Sequence, residues 1–454
     1  MRRIIWFFFV ALQILVGSTL AGAAIAAPDL SSNPLPGNPT DAQLLDAVQK
    51  RAFDFFWNES DPNTGLTKDR AGNFAPDTYT VASIASTGYA LSALPIGVEH
   101  GWVSRDDAYQ RALTTLRYIN SDLPNVHGWY YHFVDWKTGA RQWNCELSSI
   151  DTGLLVIGAL TAGAYFHGTE VDKLANAIYD RIDFDWMRTE GGKTPDAAAL
   201  SMGWRPDNEW IPARWNTYCE DPLLYLMAMG SLTHPLPPSA WDCLDARPIK
   251  VEGYYQIGEP GPIFIWQMPA GYFDFRNQRD RNGYDFWVNF VDANLANHAF
   301  CARNPDHFKT YSRSIWAVNA SDLPDGYGAQ DDRPGGDNGT VSPTGAIASI
   351  CFDPELGRQS LRALYEQYRD KTWGRYGFSD AFNLDKQWYD KDVIGIDLGM
   401  MLVATENHRS GLIWRLVMRQ PFAVKAMAAA GFHETKEGAL RPLLITPTTI
   451  SYHP

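Results

Sequence analysis

WYDKDVIGIDLGMMLVATENHRSGLIW, residues 388–414, is for the most part an apolar helical run, yet it carries Asp392, Asp397, Glu406 and Arg409. Asp397 stands between Ile396 and Leu398, where a core residue is expected. An ionised carboxylate in that place must be paired, hydrogen-bonded or turned toward a polar cavity. Gly395 and Gly399 bracket it and permit a sharp entry and a close approach by another group. Two readings are open from this stretch alone: a helix start that holds Asp397 at the rim of a pocket, or a carboxylate that caps a helix N-terminus.

Working outward, the same rhythm recurs along the chain. LLDAVQKRAFDFFW, 44–57, has apolar positions at helical spacing, with Thr40 or Asp41 as its cap. TVASIASTGYALSALPIGVEHG and SRDDAYQRALTTLRYINS pair as helix, short loop, helix, the second opening at Ser104 with acidic residues in its first turn. Residues 146–168 and the stretch TEVDKLANAIYDRI form the next pair, and 216–231, 284–304, 344–352 and 354–371 continue the series. Strand-like alternation is confined to 248–265. Roughly a dozen helices in successive hairpins, joined by long aromatic and Gly/Pro-rich loops, predict an all-α fold, a double ring of helices or α/α toroid, with a little β structure. No sharp internal repeat points to a solenoid. The expected organisation is a signal segment at 1–26, a flexible leader at 27–40, one toroid domain at 41–436 and a tail at 437–454.

The N-terminus reads as a secretory signal: Arg2 and Arg3, an apolar run from Ile4 to about Val16, then small residues to Ala26. A periplasmic or secreted protein with no membrane span after cleavage is expected. The net charge of −13 and the absence of a basic run argue against nucleic acid as a partner. Five cysteines, at 145, 219, 243, 301 and 351, are widely spaced and odd in number, so this is no disulfide-built scaffold. Aromatic residues make up 13% of the chain and many fall in polar surroundings, such as HGWYYHFVDW (127–136) and GWRPDNEWIPARW (203–215). Sugars present flat C–H faces and hydroxyls, so this mixture suits an oligo- or polysaccharide partner.

Three carboxylates sit at the start of, or inside, apolar helices: Asp151 in SSIDTGLL, Glu220 in NTYCEDPLLYLMAMG and Asp397. In a double ring, helix starts on one face converge on a shared cavity. Carboxyls with unlike surroundings are what glycoside hydrolysis needs, one protonated for the leaving oxygen and one ionised to activate water. Apolar and aromatic neighbours make Glu220 the acid candidate, since desolvation raises a carboxyl pKa, and leave Asp397 as the base. No cofactor is expected. No nucleophile elbow, phosphate-binding loop or HExxH-like metal spacing is present, and no metal site is expected, the acidic loop 325–339 lacking EF-hand spacing. Two alternatives remain. A polysaccharide lyase would draw on His127, His132 and Arg214, and a non-catalytic glycan-binding protein would keep the fold without the chemistry.

The motifs WNTYCEDPLLYLMAMGSLTHPL, ASDLPDGYGAQ, GTVSPTGAIAS, WGRYGFSDAFNL and GIDLGMMLVATENHRSGLIW, in this order, resemble the bacterial glucoamylase-like family, which contains the endo-β-1,2-glucanases of glycoside hydrolase family 144. The resemblance runs from about Ala42 to Phe432. It implies an (α/α)6 toroid and an inverting glycosidase acting on β-1,2-glucan. The family's Tyr-Asn-Glu-Ala falls on Tyr218-Cys219-Glu220-Asp221, which supports Glu220 as the acid. Gly-Ile-Asp-Gln-Gly-Pro falls on 395–400, which supports Asp397 as the base. Glu406 and Arg409 fall on the family's Glu-Asn-Tyr-Arg and are expected to pair under the cavity floor. The expected sugar contacts are Asp151, Trp215, Tyr218, Trp266, Gln267, Tyr327, Glu406 and Arg409. The chain departs from its relatives at Asp151, one methylene shorter, and at 265–269, a loop expected near the sugar, where Trp266 adds a stacking surface or blocks a subsite.

Overall fold

The computed structural model describes residue 35 and residues 37–435, apart from 207–209, 217 and 219. The expected signal segment and the tail lie outside the described residues. Among these residues the chain forms fourteen α-helices: α1 (Asp41–Asn58), α2 (Ile84–Glu99), α3 (Arg105–Ser121), α4 (Ser149–Tyr165), α5 (Glu170–Asp180), α6 (Phe184–Thr189), α7 (Asp221–Gly230), α8 (Phe264–Tyr272), α9 (Phe286–Arg303), α10 (Pro343–Ala348), α11 (Pro354–Thr372), α12 (Gly395–Arg409), α13 (Leu412–Met418) and α14 (Pro421–Ala429). Their starts follow local chemistry. Thr40 caps α1 in a reciprocal pair with Gln43, and Ser104, Asp285 and Asp353 accept from the third backbone N–H of α3, α9 and α11.

Two classes of helix sort into two rings. α2, α4, α7, α8, α10 and α12 bury almost every residue, as their apolar sequences demand, and form the inner ring. α1, α3, α5, α9 and α11 bury one stripe each and pack outside it. α14, the last helix in the chain, packs on α7 and takes the sixth outer place. The fold is the expected α/α toroid. The tightest seam joins α2 to α4: a β-carbon at Gly88 would meet Leu154 O at 2.2 Å and one at Gly158 would meet Gly88 O at 2.0 Å, so both backbones touch without side chains between them.

One end of the ring is closed. α13 packs on α4, α8 and α12. Trp414 Nε1 donates to Ala270 O at 2.6 Å, and Gln420 Nε2 donates to Leu160 O at 3.2 Å. The helix starts lie toward the other end, where the connecting loops are tied by antiparallel ladders of two to four residues per strand. Of the stretch 248–265, where alternation suggested strands, 248–257 forms a hairpin and 264–265 already belong to α8; eight more ladders accompany it among the described residues. Such short ladders leave no alternation to read in a sequence. Two of them aim the site. Arg70–Gly72 pairs with Asp392–Ile394 just before α12, and Ala320–Leu323 pairs with Gly326–Ala329. Among the described residues no helix is long and apolar enough to cross a membrane.

Candidate active site

Asp397, Glu220 and Asp151 come from three inner helices, and their charges all act on one side chain, Tyr89 of α2. The Tyr89 hydroxyl is buried without a hydrogen-bond partner among the described residues. Burial first, then Tyr272 and the three carboxyls, hold its pKa well above the usual phenol value. The three N-termini bring the positive ends of α4, α7 and α12 to the same place, which favours negative charge there.

Asp397 occupies the first turn of α12, 2% exposed, and does not cap it. Its Oδ1 accepts from Asn319 Nδ2 at 3.1 Å. Its other partner is the carboxyl of Asp380, which is itself buried and whose Oδ2 accepts from the backbone N–H of Asp322 at 2.8 Å. Two carboxyls this close in a dry site share a proton. Burial and the neighbouring carboxylates, Asp322 and Asp69 among them, raise Asp397 to about 7 against the lowering effect of its bonds to Asp380 and Asn319. Asp380 is pushed well above the usual carboxylate value, by burial and by Asp397, Asp322 and Asp390. Arg70 faces this acidic wall, its guanidinium 2.8 Å from Asp322 Oδ2 and 3.2 Å from Asp69 Oδ2. Tyr327, on the hairpin after Asp322, is raised by burial and by the charges of Asp397 and Asp380, which places it at the same wall.

Glu220 immediately precedes α7 and makes no capping bond. Its Oε2 is sealed from solvent with no hydrogen-bond partner among the described residues. Desolvation first, then the charges of Asp151 and Asp221, push its carboxyl up to about 8, so it carries a proton at neutral pH. Asp151 and Asp221 act on Glu220, whereas Asp380, Asp322, Asn319 and Asp69 act on Asp397.

Asp151, in the first turn of α4, accepts from Ser148 Oγ at 2.5 Å and lies 3.4 Å from His132 Nε2. The other ring nitrogen of His132 is 2.9 Å from Glu146 Oε1. Burial alone lowers the His132 pKa, but Asp151 and Glu146 outweigh it and raise it to about 9, so His132 is an imidazolium between two carboxylates. Glu146 is correspondingly held at about 2, its bond to His132 overriding desolvation.

The remaining expected contacts divide. Trp215 is buried and donates from Nε1 to Ser149 Oγ at 2.7 Å, bracing the first turn of α4. Residues 265–269 are not a loop but the start of α8. Trp266 is 2% exposed and stacks on buried Tyr218, ring centroids 5.7 Å apart and 14° between planes. Gln267 donates to Asn294 Oδ1 at 2.8 Å and Gly345 O at 3.0 Å, which ties α8 to α9 and α10. These side chains support the wall rather than stand open to solvent. Glu406 and Arg409 lie at the far end of α12, more than two turns from Asp397. They do not pair with each other as expected. Glu406 meets His100 Nε2 at 2.8 Å and Ser410 Oγ at 2.5 Å, and Arg409 reaches Asp46 and Gln49 of α1. The geometry makes both braces of the closed end, because Glu406 stands nine and Arg409 twelve helical positions beyond Asp397.

The groups named for a lyase are engaged elsewhere. His132 is held as an imidazolium, Arg214 pairs with Glu190, and His127 stacks on Trp186 beside Asp183. Four cysteines, 145, 243, 301 and 351, are free thiols, and the fifth lies outside the described residues. In the loop 325–339, Asp331 pairs with Arg333 and Asp337 with the Tyr311 hydroxyl. Among the described residues Asp322, Asp380 and Asp390 are close enough to share a cation, but Arg70 and shared protons already offset part of their charge. Tyr89, Asn319, Asp322 and Asp380 were not singled out by sequence reading. Asp322 and Asp380 lie in two of the quoted motifs, ASDLPDGYGAQ and WGRYGFSDAFNL, which was the available signal.

Comparison with known proteins agrees with the resemblance. The family model described as "Putative glucoamylase" matches residues 212–421. The chain is 26% identical over 434 residues to an exo β-1,2-glucooligosaccharide sophorohydrolase of Parabacteroides distasonis, a match covering 86% of this chain and 58% of that protein. Among solved structures, an endo-β-1,2-glucanase from Chitinophaga pinensis, with sophorotriose and glucose bound, superposes with a TM-score of 0.80 at 27% identity, over 87% of this chain and 99% of that one. A β-1,2-glucanase from Parabacteroides distasonis gives 0.79 at 25% identity, over 87% of this chain and 60% of that one.

Proposed function

We propose that this chain is an exported, inverting glycoside hydrolase acting on a neutral β-glucan, most directly β-1,2-glucan or its oligosaccharides. The observation that carries the reading is the pairing of unlike carboxyls around Tyr89: Glu220 protonated in an apolar setting, Asp397 in a polar carboxyl network. Glu220 donates its proton to the leaving glycosidic oxygen. Asp397 takes a proton from water, directly or through a relay, and Asp380, already bonded to it, stabilises the shared proton. Asp151, Arg70 and Tyr327 line the space with hydrogen-bonding groups suited to sugar hydroxyls. The similarity to β-1,2-glucan-active proteins supports the linkage, and the sequence of residues 1–26 supports export.

Incubation of the mature protein with linear β-1,2-glucan and a panel of other neutral glycans, with products separated by chromatography, tests the substrate. Shortening of the β-1,2 chains is expected. Cleavage of a differently linked glycan alone would overturn the linkage, and the absence of any cleavage would overturn the hydrolase.

A further inference from the structure

Trp143 is the most exposed aromatic side chain among the described residues, 61% open to solvent. Its backbone has φ +52° and that of Asn144 has φ +49°. L residues enter this left-handed region at an energetic cost, and two in succession need a structure that holds them there. That structure is present. Arg141 donates from Nε to Cys145 O at 2.5 Å and from Nη2 to Asn144 O at 2.6 Å. The Cys145 thiol sits against both the N–H and the carbonyl of Phe133, at 3.2 and 3.3 Å.

Beneath Trp143 a column of rings leads inward. Its centroid is 4.9 Å from that of Phe133, which stacks on His132 at 3.8 Å and 17° between planes, and His132 Nε2 lies 3.4 Å from Asp151. Burying Trp143 would stabilise the fold, yet a braced and strained turn displays it instead, at the outer end of this ring column. A flat apolar ring flanked by the hydrogen-bonding side chains of Gln142 and Asn144 matches one face of a pyranose.

We propose that Trp143 is the platform of an outer glycan subsite, taking one pyranose of a neutral β-glucan whose following residues descend the ring column to Asp151. The proposal rests on the glucan-hydrolase reading. It makes the protein prefer chains long enough to reach Trp143 from the scissile bond.

The test compares Trp143→Ala and Trp143→Tyr with the parent enzyme on β-1,2-gluco-oligosaccharides of increasing length. KM for the longer chains should rise about 3- to 10-fold in the alanine variant, as loss of one ring contact gives, and the tyrosine variant should recover most of it. A loss equal at all lengths, or none at any, would overturn the platform. Tryptophan fluorescence, titrated with the same linear glucans and with other neutral glucans, separates this from the catalytic reading. A glucan-dependent change that disappears in Trp143→Ala supports the subsite even where nothing is hydrolysed, and superimposable titrations of the two proteins overturn it.

Discussion

A β-carbon at Gly399 would lie 2.2 Å from Cγ of Tyr89, so α12 and α2 approach across the ring only because position 399 carries no side chain. That approach sets Tyr89 where the charges of Asp397, Glu220 and Asp151 act on it. Gly399→Ala should therefore move Tyr89 or α12. Overpacking of this kind destabilises by about 1–3 kcal/mol, and activity should fall at least about tenfold. Denaturant unfolding and hydrolysis rates measured together check both effects, and an unaltered protein would refute the crowding.

Glu220→Gln keeps the shape of the acid and removes its proton. Hydrolysis should drop by about 10²- to 10⁴-fold while glucan binding survives. Asp397→Asn should fall by a similar order. Turnover within a factor of two of the parent in either variant would remove that residue from its role.

The pH profile follows from two raised carboxyls. The base must be ionised, so rate should fall as pH drops through about 7, the value at Asp397. The acid must be protonated, so rate should fall again as pH rises through about 8, the value at Glu220. A narrow bell in kcat/KM is the expectation. Because the charge of Asp151 helps to raise Glu220, Asp151→Asn should move the alkaline limb to lower pH. An unmoved limb would mean that another group sets it.

Asp380 illustrates the stability that such a site gives up. Its folded pKa lies well above the unfolded value near 3.9, so the folded protein binds this proton more tightly than the unfolded chain does. Stability therefore declines as pH rises from about 4 toward the folded pKa. Asp380→Asn removes the titration and can keep the bond from Asp322 N. Its Tm should exceed that of the parent by about 1–4 °C at pH 7.5, with the difference shrinking toward pH 4. The same variant offers an N–H to Asp397 and should shift the acid limb of activity to lower pH. Equal Tm values across the range would contradict the proton-sharing pair.

How far the sequence carries the account depends on range. Apolar runs such as 149–163 and 395–407 announce inner helices by themselves, because they are buried all round. The placing of α14 on α7 is set by packing between segments some two hundred residues apart, and no local pattern encodes it. Asp151, Glu220 and Asp397 stood out as carboxylates in apolar company. Asp380 and Asn319 sit in short buried segments between helices, with no helical period to mark the inward positions, and only the fold brings them to Asp397. Burial of the aromatics is the feature least encoded in local sequence. Trp215 and Trp266 occur in polar-looking stretches but bury their rings in the wall, whereas Trp143, in an unremarked stretch, is the one displayed. Side-chain direction in loops depends on turn geometry that composition does not reveal.

The most direct test of the central claim follows the products of linear β-1,2-glucan by anomer-resolved proton NMR from the first minutes of reaction, with Glu220→Gln as the control. The account predicts that new reducing ends appear first as the α-anomer and equilibrate later, and that the control produces none at a comparable rate. First appearance of the β-anomer, or cleavage that persists undiminished in Glu220→Gln, would contradict it.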